Sequence, residues 1–260
     1  MPIEFVEPDW QVPGHVRALT STRGDGTSTG EFSSLNLGDH VGDEPARVAA
    51  NRARLREQLQ LPAEPTWLAQ VHGCDVVAAG AVGGSPCAAD ASVAFLPGQV
   101  CAVMTADCLP VLCCDDAGRV VAAAHAGWRG LLKGVLEATV QQMQCPPERI
   151  NAWLGPAIGP TAFEVGGEVR DVFCAHSEQA EVAFVAGAGG RWLADLYCLA
   201  RQRLAAAGVL RITGGDHCTF SDRERFFSYR RDGRTGRMVS LIWLQPAGSF
   251  VRGRPAWVTR

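Results

Sequence analysis

Three short segments each end an apolar stretch with a side chain that binds metal ions well. His72 lies in AQVHG, Cys108 in TADCLP and His125 in AAAHAGWRG. Two imidazoles and one thiolate are suitable ligands for Zn²⁺, and three protein ligands leave the fourth tetrahedral position open to water or substrate. Copper also accepts nitrogen and sulfur ligands, and it binds such sites more tightly. The residue types therefore indicate a catalytic Zn²⁺ site, with Cu²⁺ as the competing ion.

The spacing of these residues leaves two other interpretations open. The separations are 36 residues (72 to 108) and 17 residues (108 to 125), which match no short zinc signature. Cys108 could instead be the nucleophile of a metal-free cysteine hydrolase, with His125 or His72 as its base. All three side chains could also be inert core residues, as most buried cysteines are. Residue chemistry alone does not choose among a metal site, a nucleophile and plain structure.

Three further residues could bind an anionic substrate. Arg129 follows His125 by four residues and opens a predicted helix, and a helix start beside an arginine favours phosphate or carboxylate. An arginine exposed on the surface is the alternative interpretation. Arg23 and Asn36 lie in a loop rich in Gly, Thr and Ser and could reach a ligand. Asn36 could equally stabilise the backbone of its own loop.

Two other residues are further candidates for the site. Asp107 immediately precedes Cys108, so it could act as an acid or base, or it could support the neighbouring ligand. Cys218 lies in HCT after a glycine-rich turn and could come near the site. The sequence does not decide which role Asp107 has.

The composition is that of an ordinary globular protein, and we expect the protein to stay in the cytoplasm. The chain has 260 residues, 47% hydrophobic and 20% charged, with a net charge of -3 and a pI near 6.1. This balance predicts no nucleic-acid partner. No apolar run approaches the roughly 20 residues of a membrane span, and MPIEFVEPDW lacks the charged and apolar regions of a signal peptide. The ten cysteines form no CxxC pair, so we expect reduced, mostly buried thiols.

The elements that would position the candidate residues are short strands in the middle of the chain. Several strands follow one another without helices between them, which favours a mixed sheet, or two packed sheets with helices outside, over a Rossmann arrangement. No GxGxxG and no Walker loop occur. Asp43 is a plausible N-cap for the first helix. The predicted strands are 16–21, 66–71, 75–79, 91–95, 100–106, 110–114, 119–126, 150–155, the segment opening at 211, and 237–245; the predicted helices are 44–60, 130–143, 169–176 and 192–208.

Long motifs around these residues closely resemble the YfiH-like family, also called the laccase-domain, polyphenol oxidase or purine nucleoside phosphorylase family. The resemblance runs from about residue 16 to residue 245, nearly the whole chain. The motifs that carry it are STRGDG, SSLNLGDHVGD, WLAQVHG, VMTADCLPVL, AAAHAGWRGL, WLGPAIGP, FEVG and FFSYRRDGRTGRMVSLIWL.

The resemblance implies both a fold and a metal centre. The implied fold is α/β (α+β), a YfiH-like single domain over residues 1–260 in which mixed β-sheets pack together with flanking helices, likened to that of a class of cysteine hydrolases. The implied zinc ligands are His72 in QVHG, Cys108 in TADCLP and His125 in AHAGWRG. No position of this set departs from the family pattern.

The activities attributed to the family lead to a zinc-dependent purine nucleoside enzyme as the first hypothesis. They are phosphorolysis of adenosine, inosine and S-methyl-5'-thioadenosine, adenosine deamination, copper-dependent phenol oxidation, and removal of a misincorporated amino acid from a peptidoglycan precursor. Under this hypothesis the substrates are a purine nucleoside and phosphate, and we expect a monomer or weak homodimer without membrane contact. The catalytic set is His72, Cys108, His125, Asp107 and Arg129, and the substrate-binding set is Arg23, Asn36 and Arg129.

Two alternative enzymes remain. The first is a cysteine-type amidase that edits a peptidoglycan precursor with Cys108 as its nucleophile. The second is a copper-dependent polyphenol oxidase. Six histidines with no HxH pair argue against the several copper clusters of multicopper oxidases.

Overall fold

The computed structural model describes residues 2–80 and 87–247, so parts of the predicted domain 1–260 lie outside the described residues. The strands in these ranges are β1 Phe5–Val6, β2 Val16–Ser21, β3 Leu68–Ala69, β4 Val76–Ala78, β5 Cys87–Ala88, β6 Ala91–Ala94, β7 Val100–Thr105, β8 Leu109–Asp115, β9 Val121–Ala126, β10 Ile150–Leu154, β11 Glu164–Val165, β12 Phe184–Ala186, β13 Trp192–Ala194, β14 Arg211–Gly214 and β15 Met238–Leu244. The helices are α1 Pro45–Leu59, α2 Trp128–Lys133, α3 Val135–Gln142, α4 Gly167–His176, α5 Leu196–Ala206 and α6 Tyr229–Asp232.

Two large sheets form the centre of the protein. The first is antiparallel, with strand order β1-β2-β15-β7. The second has the order β14-β10-β8-β9-β6-β4 and is mixed, because β10 with β14 and β4 with β6 are parallel pairs. Two small sheets, β11-β13-β12 and β3-β5, complete the fold. The prediction of an α/β (α+β) fold with mixed sheets and flanking helices is confirmed.

The two large sheets pack face to face, and this packing explains the apolar strands in the middle of the sequence. Every residue of β7, β8, β9 and β15 is buried. A strand covered on both faces has no solvent side, so its sequence is a continuous apolar run and not an alternating one. The shared core contains Cys101, Val103, Leu112, Cys114, Val121, Ala123, Ile242 and Leu244.

Helices cover the outer faces of both sheets. α1 packs its Leu55 and Leu59 against Leu19, Val239 and Leu241 of the four-stranded sheet. On the other side, α3 and α5 share a core with the six-stranded sheet. This second core includes Leu136, Val140, Leu199 and Leu204 from the helices and Val111, Cys113, Ala122 and Ala124 from the strands.

The start of α1 differs from the prediction. Asp43 is not the N-cap, because the helix begins at Pro45 and Glu44 takes the capping position without a side-chain hydrogen bond. A proline that sits in the first helical position needs no hydrogen-bond partner for its nitrogen. The Asp43 carboxylate instead accepts hydrogen bonds from the Ser28 hydroxyl at 2.6 Å and from the Asn36 amide at 2.9 Å. Asp43 thus stabilises the glycine-rich loop.

Three other predicted elements are shorter or divided. The predicted helix 130–143 is two helices, α2 and α3, because Gly134 adopts a φ of +97° between them. The predicted helix 192–208 begins only after Asp195, whose carboxylate caps α5, and its first residues form β13 instead. The predicted strand 66–71 is reduced to the two residues of β3. Capping and glycine geometry, rather than apolar pattern, set these boundaries.

Two expectations about the chain as a whole can be compared with the structure. Within the described ranges, no helix is both long and apolar enough to span a bilayer. All ten cysteines are free thiols, as expected for a reduced protein. Cys101, Cys113 and Cys114 are buried and the others are half-buried, so fewer cysteines are core residues than we predicted.

Replacing Gly134 with alanine should destabilise the fold by ~1–2 kcal/mol, because an L-residue is strained at a positive φ. The added Cβ would meet no atom closer than 3.6 Å, so the effect isolates backbone strain. Urea denaturation measures the free energy of unfolding. Gly14→Ala is the control, because nothing lies within 4 Å of its Cβ. Equal stability of the two variants would contradict the proposed role of Gly134.

Candidate metal centre

The three predicted metal ligands lie together in space. One ligand atom from each of His72, Cys108 and His125 can be chosen so that all three lie within 4.8 Å of one another. Sγ of Cys108 is 3.7 Å from Nε2 of His72, and the two imidazole rings are 4.8 Å apart in an edge-on arrangement. Among the described residues, this is the one group of three or more His, Cys, Asp or Glu side chains that could hold a metal ion in this way.

Strands of the six-stranded sheet aim two of the ligands. His125 lies on β9 and is paired with Pro110 on the neighbouring strand β8. Cys108 directly precedes β8, at a corner where Asp107 has a φ of +96°. The hairpin therefore brings residues 17 positions apart to the same edge of the sheet. His72 comes from a loop after β3, where its own φ is +56°.

The carboxylate of Asp90 holds the imidazoles in place, and the sequence analysis did not identify it. Asp90 is fully buried, and its Oδ1 is 2.8 Å from Nδ1 of His125. A carboxylate can only accept, so Nδ1 carries the proton and Nε2 is left to bind a metal. The same carboxylate accepts backbone N–H groups from Val71, His72 and Gly73 at 3.2, 2.9 and 2.6 Å. One side chain thus orients His125 and fixes the loop that carries His72.

A signal for Asp90 was present in the sequence. It is the one charged residue in the apolar run CAADASVAF. A carboxylate in such a run must be buried, and a buried carboxylate requires several hydrogen-bond donors.

Electrostatics at the centre favour a thiolate at Cys108. Burial would raise the pKa of the Cys108 thiol, but His125 and His72 lower it to about 6 through charge and hydrogen bonding. Burial would likewise raise the pKa of Asp90, but hydrogen bonds from His125 and Gly73 bring it below its usual value. In contrast, burial raises the pKa of Cys101 to about 12. The thiolate is the form of cysteine that binds metals and attacks electrophiles, so Cys108 differs chemically from the core thiols.

Two glycines of AHAGWRG let α2 approach the metal centre. A Cβ on Gly127 would lie 2.8 Å from Sγ of Cys108 and 3.0 Å from Cδ2 of His72. A Cβ on Gly130 would lie 3.0 Å from the carbonyl oxygen of Gly73. A side chain at position 127 would force Cys108 to move, and one at position 130 would press against the backbone of Gly73, so glycine suits both positions.

Asp107 anchors a distant segment of the chain. Its buried carboxylate accepts hydrogen bonds from the Thr219 hydroxyl at 2.6 Å, the Ser228 hydroxyl at 3.0 Å and the Arg230 backbone N–H at 2.7 Å. These bonds tie residues 219–230 to the corner beside the Cys108 ligand. These hydrogen bonds are typical of a supporting residue rather than of an acid or base, the other role considered for Asp107.

The predicted substrate-binding residues occupy different surroundings. Arg129 is exposed near the start of α2, with its guanidinium carbon 4.3 Å from the ring centre of Trp128. The Arg23 guanidinium donates hydrogen bonds to the carbonyl oxygens of Ser33 and Arg223. These contacts connect two loops through Arg23. Arg129 is therefore the more accessible of the two cations.

Asn36 is not placed to reach a ligand. It is fully buried, and its Oδ1 accepts the backbone N–H groups of Gly38 and Arg237 at 3.0 and 2.9 Å. Its Nδ2 donates to the Gly38 carbonyl and the Asp43 carboxylate. The amide is fully used within its surroundings, so the structure agrees with the alternative interpretation of Asn36 as a loop-stabilising residue.

Cys218 directly precedes the segment 219–230 that Asp107 anchors. Its Sγ accepts hydrogen bonds from the Gly159 backbone N–H at 3.2 Å and the Ser221 hydroxyl at 3.3 Å. It is not a member of the three-residue cluster described above. Its neighbour Thr219 connects it to the metal centre through Asp107.

Comparison with known proteins identifies the family of the chain. The family described as "Multi-copper polyphenol oxidoreductase laccase" matches residues 17–245. A protein of Escherichia coli K12 named purine nucleoside phosphorylase YfiH is 57% identical over 244 residues, which cover 93% of this chain and 99% of that protein. The chain belongs to the YfiH-like family.

Other members of the YfiH-like family extend the comparison. A Pseudomonas aeruginosa protein, also named purine nucleoside phosphorylase, is 56% identical over 93% of this chain and 98% of its own length. A solved structure from Neisseria meningitidis matches with a TM-score of 0.90 at 53% identity, covering 94% of this chain and 100% of that one. The structure of YlmD from Geobacillus stearothermophilus matches with a TM-score of 0.85 at 31% identity, covering 94% of this chain and 100% of that one. The predicted family and fold are therefore confirmed.

Replacing Asp90 with asparagine should lower metal affinity about 10- to 100-fold, because His125 loses its orienting carboxylate. Calorimetric titration of the metal-free protein with Zn²⁺ measures the dissociation constant of the metal. Asp116→Asn, an exposed aspartate, is the control. Circular dichroism verifies that the variant is folded, and an unchanged affinity in folded Asp90→Asn protein would contradict this role.

Replacing Gly127 with alanine should displace Cys108 or His72 and abolish stoichiometric Zn²⁺ binding. The physical reason is the 2.8 Å approach of the new Cβ to the ligand sulfur. Elemental analysis of the purified variant measures the effect. Gly24→Ala is the matched control, because its Cβ would meet only Thr22 at 3.9 Å. Full metal content in Gly127→Ala protein would show that the centre tolerates the added methyl group.

Proposed function

We propose that this protein is a zinc-dependent purine nucleoside phosphorylase that acts on adenosine, inosine and S-methyl-5'-thioadenosine and also deaminates adenosine. The observation that carries the proposal is the convergence of His72, Cys108 and His125 to within 4.8 Å in a chain whose relatives are named purine nucleoside phosphorylases. Under this proposal the partners are a purine nucleoside and phosphate, and the protein works in the cytoplasm as a monomer or weak homodimer.

The chemistry of the donor set fits Zn²⁺. Two imidazoles and a thiolate with a lowered pKa supply three ligands, and the bond from His125 to Asp90 leaves the other ring nitrogen for the metal. When bound, zinc acts as a Lewis acid and can supply a nucleophile at neutral pH. Copper suits the same ligands, and the described residues hold one such group rather than the several clusters of a multicopper oxidase.

Phosphorolysis requires the chain to hold two reactants in line. A phosphate oxygen forms a bond to the anomeric carbon of the nucleoside while the bond from that carbon to the purine nitrogen breaks. Positive charge must therefore lie beside the ribose to hold the phosphate. Arg129 is exposed four residues after the ligand His125 and is suited to attract it, with Arg23 as the second predicted cation. Asp107 supports this arrangement by fixing residues 219–230.

One alternative function has a specific observation in its favour. Cys108, His125 and Asp90 form a chain of thiol, imidazole and carboxylate, the arrangement of a nucleophile, its base and a residue that orients the base. A cysteine-type amidase that acts on a peptidoglycan precursor would use this chain without a metal. His72 is unexplained in this alternative, because one imidazole is enough to activate a thiol.

Elemental analysis combined with assays of inosine phosphorolysis and adenosine deamination tests the proposal. We expect about one zinc ion per chain in the wild type and the loss of both metal and turnover in His72→Ala and Cys108→Ala. Cys174→Ala, which changes a half-buried cysteine outside the centre, should retain both. Full phosphorolysis by metal-free Cys108→Ala protein would refute the proposal.

Alkylation by iodoacetamide separates the two functions further. A thiolate bound to zinc should react only after a chelator removes the metal, whereas a free nucleophile reacts at once. Mass spectrometry locates the modified cysteine. Zinc-free wild-type protein that hydrolyses an amide and loses this activity on alkylation of Cys108 would establish the amidase instead.

A further inference from the structure

Arg237 lies at the corner that carries Asp107 and Cys108. It directly precedes β15, whose first residue Met238 pairs with Thr105 at the end of β7. The chain runs from that end of β7 into Asp107 and Cys108 within three residues. Sheet register therefore places Arg237 beside the metal centre, although 129 residues separate it from Cys108 in the sequence.

The Arg237 side chain is held in a fixed position. Its backbone N–H donates to Oδ1 of Asn36 at 2.9 Å, and its Nη1 donates to the carbonyl oxygens of Thr235 and Gly236 at 2.9 and 3.0 Å. Its Cγ packs so closely against Gly38 that a Cβ there would lie 2.8 Å away. Asn36 and Gly38 thus shape the loop around an arginine, which gives the SSLNLGDH motif a function that sequence analysis did not find.

The guanidinium of Arg237 lies near the segment that is bonded to Asp107. Its central carbon is 5.9 Å from the ring centre of Tyr229. Tyr229 lies between Ser228 and Arg230, and both of these residues donate hydrogen bonds to the Asp107 carboxylate. Tyr229 is 61% exposed, so this part of the site is open to solvent and to a ligand.

In the part of the chain that the structure describes, no ion pair joins Arg237 to a carboxylate. Within the described residues, its hydrogen bonds go to carbonyl oxygens, the Asp107 carboxylate is already occupied by other donors, and Asp39 pairs with Arg52. Burial lowers the pKa of Arg237, and the charges of Cys108 and Asp107 oppose that shift. The pKa of nearby His40 is lowered, mainly by burial and in second place by the positive charge of Arg237. A half-buried cation without an ion-pair partner is suited to an anionic ligand.

We propose that Arg237 is the residue that binds the phosphate co-substrate next to the metal centre, with its free guanidinium nitrogens turned to the phosphate oxygens. This inference rests on the proposed phosphorolysis and names the group that holds its second substrate. Arg23 has its nitrogens engaged by carbonyl oxygens, and Arg129 lies against Trp128 on the surface. Arg237 is thus a specificity residue for phosphate, and Arg129 serves the initial attraction of the anion.

The test compares Arg237→Gln, Arg237→Lys and the control Arg234→Gln in inosine phosphorolysis. Arg234 is exposed on the same segment and donates to the Gly42 carbonyl. Arg237→Gln should raise the KM for phosphate about 10- to 100-fold, the loss expected for a hydrogen bond to a charged group, and change the KM for inosine less than about twofold. Arg237→Lys should recover part of the loss, and Arg129→Gln should have a smaller effect than Arg237→Gln.

Binding of inorganic phosphate to the zinc-loaded proteins, measured by calorimetry, provides a readout without turnover. We expect wild-type and Arg234→Gln protein to bind phosphate, and Arg237→Gln protein with full zinc content to bind it at least about tenfold more weakly. Equal phosphate affinity in folded, zinc-loaded Arg237→Gln protein overturns the inference. A wild type that binds phosphate but does not cleave inosine would refute the proposed function and leave the assignment of Arg237 supported.

Discussion

The candidate metal centre depends on the hydrogen bonds of one fully buried carboxylate, that of Asp90. Burying an ionised carboxylate is costly unless donors surround it, and here the donors are one imidazole and three consecutive backbone N–H groups. The loop that carries His72 can hold its positive φ because these bonds fix it. The charge of Asp90 also keeps the proton of His125 on Nδ1. The same contacts that stabilise Asp90 therefore build the ligand geometry, and stability and function are not separable at this residue.

The two packed sheets give this centre its rigidity. Cys108 and His125 lie at the edge of a hairpin whose strands are buried on both faces, so neither ligand can move without disturbing the core. Hydrogen bonds to Asp107 attach residues 219–230 to the corner next to Cys108. The glycines of AHAGWRG allow the start of α2 to lie close to Cys108 and His72. The centre is thus assembled from rigid strands, and the loops around it are attached to it by hydrogen bonds.

Much of this arrangement can be predicted from the sequence, and the exceptions share a physical cause. Apolar runs predict the strands on which His125 and its neighbours lie, and the motifs predict the family. The sequence indicates that Asp90 is buried, but it predicts neither the partners of Asp90 nor the position of Arg237, because these arise from contacts between segments far apart in the chain. Asn36 is the opposite case: a polar residue in a glycine-rich loop suggests a ligand contact, yet its amide is used to shape the loop. Helix boundaries also fail where Gly134 or Asp195, rather than the apolar pattern, ends or starts a helix.

Cys108, His125 and Asp90 fit two functions, a metal site and a thiol nucleophile with its base. His72 is the residue that distinguishes between these two functions. A thiol nucleophile needs one base and one orienting group, and His125 with Asp90 already supplies both. A second imidazole 3.7 Å from the sulfur adds nothing to that mechanism, but it completes a three-ligand set for a metal. Three backbone N–H groups of the His72 loop donate hydrogen bonds to Asp90, and together with a positive φ at His72 they place this second imidazole. The constraint on His72 has a purpose in the metal-dependent function and none in the amidase, so it favours the proposed metal-dependent function.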